Sequence, residues 1–141
     1  MTKRLDKLWN PWYKNLAYPS FMEGASVQAR RSSKDGKFHY RTTIFLPDCC
    51  DRANYVLTEH QVKELWKFLS GHYKKESRHF PCAVTPTDTF CVVRRSTLSI
   101  MYGSSCFDGN QVNLSDDDLK SMLDWLKMLM VQFEKHRDSV K

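Results

Sequence analysis

The sequence predicts an α+β fold: two repeated antiparallel strand–strand–strand–helix units packed into one domain. Three observations carry that expectation. First, "SSKDGK" at 32–37 lies between "ASVQARR" and "FHYRTTIFL". An Asp-Gly pair between two alternating runs is a strong hairpin signal. Second, "NYVLTEHQVKELWKFLSGHY" and "NQVNLSDDDLKSMLDWLKML" have one grammar: a short apolar strand, Leu with Thr or Ser, then an apolar helix. Third, the matches keep chain order. An offset of 57 carries Leu57-Thr58 onto Leu114-Ser115, and Val62, Leu65, Trp66, Phe68 and Leu69 onto Leu119, Met122, Leu123, Trp125 and Leu126. An offset of 56 carries "TTIF" onto "LSIM", and one of 64 carries Arg30-Arg31 onto Arg94-Arg95, with the length differences in loops. Ordered self-similarity of this kind marks a duplicated unit.

The elements follow in turn. Residues 1–23 hold Trp9, Trp12, Tyr13 and Tyr18 with Pro11 and Pro19, and read as an aromatic N-terminal arm. Residues 24–141 read as the α+β domain, with units at about 24–75 and 90–137. In the second strand of the hairpin, Phe38, Tyr40, Thr42, Ile44 and Leu46 share one face; His39, Arg41, Thr43 and Phe45 share the other. Thr58 is placed to cap the first helix, with Glu59 in its first turn. Residues 76–89, with two prolines, read as a connector. Strands resume at "FCVVRR", "TLSIMYG" and "QVNL", and Ser115 caps the last helix over Asp116, Asp117 and Asp118. Trp125, Met128 and Leu129 widen the apolar stripe of that helix beyond what a surface helix needs, as expected of a helix that is central or shared between the subunits of a homo-oligomer.

Composition narrows the function. No apolar run reaches the roughly 18 residues of a membrane span, and the start lacks an apolar signal core, so neither a membrane partner nor secretion is expected. Five cysteines without CxxC spacing suit reduced thiols in an intracellular compartment, cytoplasm or nucleus. Net charge is +6, and all of the excess falls in residues 1–47, which hold nine Lys/Arg against three Asp/Glu. Such asymmetry suits a polyanionic partner, or an ordinary solvated basic surface.

Catalytic signatures are missing. The cysteines and His39, His60, His72 and His79 lack zinc spacing, and no phosphate loop, nucleophile elbow or HExxH occurs. No cofactor, metal or catalytic residue is predicted, and the chain is not expected to be an enzyme. The basic strands are the most specific signal. Arg30, Arg31, Lys34, Lys37 and Arg41 surround the first hairpin, and Arg94 and Arg95 begin the second. Cations neutralise phosphates, and Tyr40 and Tyr102 are the candidate rings for stacking on bases. By alternation Phe38 and Tyr40 can equally face the core.

This order of strands, "L-[ST]" and amphipathic helix, taken twice over residues 24–136, resembles the Whirly-type single-stranded nucleic-acid binders. The resemblance implies two sheets packed face to face, four strands per unit, oligomers formed through helices, and single strands lying across the sheets. The expected function is therefore non-catalytic binding of single-stranded DNA or RNA. The alternative is a protein-binding module, an inhibitor or adaptor, anchored by Trp9, Trp12 and Tyr13.

Overall fold

The computed structural model describes residues 10–13, 18–47, 52–71, 76–83, 89–94, 97–102 and 110–139. The chain is α+β. Strands β1 (Asn10–Tyr13), β2 (Gly24–Arg31), β3 (Phe38–Pro47) and β4 (Arg52–Thr58) form one sheet in that order, followed by helix α1 (Glu59–Leu69). Strands β5 (Ser77–Pro81), β6 (Thr89–Arg94), β7 (Leu98–Tyr102) and β8 (Asn110–Leu114) form a second, followed by α2 (Asp116–Ser139). Every neighbouring pair is antiparallel.

Each unit therefore has four strands where the sequence pattern gives three. The added strand is at the edge in both sheets, and each carries a proline, Pro11 and Pro81. Proline withholds a ladder donor but is tolerated at an edge, and that is where it occurs here. The supposed arm thus contributes β1, paired with Val27–Ala29, and the supposed connector contributes β5.

The registers of the last two strands match between units. Thr42 faces Leu57 and Ile44 faces Tyr55; Leu98 faces Leu114 and Ile100 faces Val112. The hairpins do not match. Arg94 faces Leu98, the place that Val27 takes against Thr42 in the first sheet, so Arg94 is not the counterpart of Arg30. In the first unit β4 ends at Thr58 opposite Arg41, and the β2–β3 hairpin runs on through Phe38, His39 and Tyr40. That overhang has no equivalent among the described residues of the second unit.

Alternation decides what is buried. Val27, Ala29, Tyr40, Thr42, Ile44, Leu46, Tyr55 and Leu57 line the inner face of the first sheet. Phe80, Phe90, Val92, Ile100, Tyr102 and Leu114 line that of the second. The faces meet where the Tyr55 ring contacts Phe90 and Tyr102, and where the Tyr102 hydroxyl donates to the Pro47 carbonyl. Both helices join this core. Thr58 and Gln61 form a reciprocal capping box that starts α1, and Ser115 and Asp118 do the same for α2. Gly71, at φ +88°, follows α1 in the left-handed region that closes a helix.

The last helix has an internal account. Met122, Trp125, Leu126, Leu129 and Phe133 are buried within this one chain, Met128 packs against the same core, and α2 packs on α1. The wide apolar stripe thus packs as a central helix within the chain's own core. Among the described residues, no helix is long and apolar enough to cross a membrane.

Candidate nucleic-acid interface

The overhang of the first hairpin creates a strongly basic concavity. Where β4 turns into α1, the β4 side of Phe38–Tyr40 is left without a strand among the described residues. A cleft of about 590 Å³ opens there, lined by Arg30, His39 and Arg41 from the hairpin and by Thr58, Glu59, His60 and Lys63 from the start of α1. Arg137, from the last turn of α2, closes one side. Its guanidinium donates to both oxygens of Glu59 and to the Phe38 carbonyl, and lies over the Tyr40 ring with 5.2 Å to the centroid. The hydrogen bond to Glu59 holds Arg137 above the ordinary guanidinium range. A second hollow, of about 540 Å³, adjoins this ion pair and is lined by Arg31, Lys37 and Phe38. His39, Glu59 and Arg137 belong to both hollows.

Arg30 and Arg41 share the outer face of the sheet on neighbouring strands, since Arg30 faces His39 and Gln28 faces Arg41. Burial, and then the charge of Arg30, lower the pKa of Arg41, while Cys82 acts in the opposite direction. Lys63 reaches the cleft from α1, 3.8 Å from Glu59.

The remaining predicted residues divide clearly. Arg31 donates from Nε to the Gly36 carbonyl and lies over Phe38, so it braces the hairpin turn while lining the second hollow. Lys34 and Lys37 are exposed on that turn. Gly36 there takes a φ of +68°, which a residue without a Cβ adopts freely.

Tyr40 cannot stack on a base. Its ring is 2% exposed, lies against Phe133 at 4.7 Å, and its hydroxyl is 2.8 Å from Nδ1 of His136. Burial raises its pKa, the usual response of a phenol removed from water. Tyr102 is likewise core, 3% exposed. Arg94 is structural: it donates to the Phe68 carbonyl at the end of α1, and its guanidinium lies 4.4 Å from the Phe68 ring centroid. Arg95, Trp9 and the side chains of Trp12 and Tyr13 lie outside the described residues.

Sequence pattern missed four contributors: His60, Lys63, Glu59 and Arg137. The first three were visible as an ordinary solvated helix start. Arg137 had no local signal, because it reaches the cleft from 78 residues beyond Glu59. Phe45, half-buried on the same outer face as Arg41 and Thr43, is the aromatic side chain that alternation had placed there.

Metal and thiol chemistry find little here. No group of three His, Cys, Asp or Glu among the described residues could hold a metal ion. Cys82 and Cys91 are buried; Cys91 Sγ lies 3.8 Å from His79 Nε2 across β5–β6. Comparison with protein-family models, curated proteins and solved structures returns no match.

Proposed function

We propose that this protein binds single-stranded nucleic acid without catalysis, along the outer face of the first sheet and its overhanging hairpin. The observation that carries the reading is the convergence of Arg30, Arg41 and Lys63 on one cleft, with Arg137 at its side and Glu59 as the one carboxylate among the described lining residues. Like charges gathered from β2, β3 and α1 supply the phosphate-neutralising term of nucleic-acid affinity. Lys34 and Lys37 extend the basic track along the hairpin, and Phe45 takes the stacking role first expected of Tyr40.

A labelled single strand, a duplex of the same sequence and an unrelated polyanion, each measured at two salt concentrations, test the proposal. The single strand is expected to bind best and to weaken steeply with salt. Equal affinity for all three would reduce the surface to a generic basic patch. No binding at low salt would end the reading and turn attention to the N-terminal aromatics.

A further inference from the structure

The cleft differs from an open basic track in three ways. Its described lining gathers four permanent cations, Arg30, Arg41, Lys63 and Arg137, around one carboxylate, Glu59. Its size falls in the range of pockets that enclose a small ligand, about 300–1,000 Å³. And it is bounded on one side by the Glu59–Arg137 pair, which also lines the second hollow and is held by two hydrogen bonds and by Arg137's third, to the Phe38 carbonyl.

A passing phosphodiester carries one charge and must continue on both sides. A terminal phosphomonoester carries about 1.5 to 2 charges near neutral pH, offers three acceptor oxygens and continues on one side only. The charge-dense cleft, bounded by that ion pair, suits the second better than the first.

We propose that the cleft is a receptor for the terminal phosphate of a single strand, with Arg30, Arg41 and Lys63 holding the phosphate and Arg137 fixing the end wall. The inference rests on the nucleic-acid reading and adds to it a preference for strand ends. Arg–phosphate contacts supply direction through their paired donors, and Lys63 supplies a movable point charge. Glu59 sets the limit of the site by holding Arg137 in place.

The test uses one labelled oligonucleotide sequence in three forms: 5′-phosphorylated, 3′-phosphorylated, and with hydroxyls at both ends. Affinities are measured for the full chain and for Lys63→Ala and Arg41→Ala, with thermal melts to establish that both variants are folded. One phosphorylated form should bind roughly tenfold tighter than the hydroxyl form, the worth of one added charge-assisted hydrogen bond. Both variants should lose most of that advantage. Which end is preferred gives the polarity of the bound strand. Equal binding of all three forms to the wild-type chain would overturn the terminal-phosphate receptor and leave the general reading standing. Failure of every form to bind would overturn both. An advantage that persists undiminished in both folded variants would place the phosphate elsewhere and overturn the assignment to this cleft.

Discussion

The hairpins of the two units begin from the same register and end differently. In the second unit β6 and β7 stop level with β8, at Arg94, Leu98 and Leu114. In the first, β2 and β3 continue past the end of β4 and carry Arg30 and His39 out beside α1. The outer faces differ as well. That of the first sheet holds Arg30, His39 and Arg41, whereas that of the second holds His79, Ser99, Gln111 and Asn113, with Ser99, Gln111 and Asn113 hydrogen-bonded to one another. Two units with the same order of strands and helix thus present different surfaces, the first through a longer hairpin. A scaffold stabilised by its inner faces leaves its outer faces and hairpin tips available for function.

That contrast can be tested where the overhang is fastened to α2. Tyr40 stacks on Phe133 and meets His136, so Tyr40→Ala should lower unfolding free energy by about 3–5 kcal/mol, as other large aromatic truncations in cores do. Tyr40→Phe should lose about 1 kcal/mol, the worth of one hydrogen bond, and bind normally. Denaturant melts of both measure this. A Tyr40→Ala protein as stable as the parent would mean that the overhang is not held to the core.

Arg94 sharpens the comparison between arginines that looked equivalent in sequence. Arg94→Ala should cost about 1.5–3 kcal/mol of stability by removing the charged donor from the Phe68 carbonyl. It should leave nucleic-acid affinity unchanged in the folded protein. A loss of affinity with no loss of stability would restore Arg94 to the binding surface.

A smaller effect depends on pH. Burial, and then Arg137, depress the pKa of His136 below that of an ordinary imidazole. The unfolded chain then takes up the proton first. This contribution is fully present above the unfolded value of about 6.5, is lost as pH falls through the depressed folded value, and levels off below it. Stability profiles of the parent and His136→Asn between pH 7.5 and 5, about the range over which histidine titrates, should diverge at the alkaline end and converge on acidification. Parallel profiles would show that His136 contributes no such linkage.

Much of the fold was legible because its signals are local. The Asp35-Gly36 turn, the alternation of β3 and the capped starts of both helices all lie within a few residues of what they determine. The first strand of each sheet, β1 and β5, was not legible, since Pro11 and Pro81 interrupt runs that only a neighbouring strand stabilises. The site was legible in part. Arg30 and Arg41 announce themselves as charges on alternating strands. Whether an arginine faces the solvent or the end of a helix depends on register, which separates Arg30 from Arg94. The Glu59–Arg137 wall depends on tertiary packing alone.

The central claim is that the outer face of the first sheet, and not that of the second, contacts phosphates. The most direct measurement is the slope of log K against log salt for a single strand, compared between the parent, Arg30→Ala/Arg41→Ala and Gln111→Ala/Asn113→Ala. The account predicts that the arginine pair flattens the slope by about 0.7 for each phosphate no longer neutralised, while the amide pair leaves it unchanged. An unaltered slope in the folded arginine variant, or an equal change in the amide variant, would contradict it.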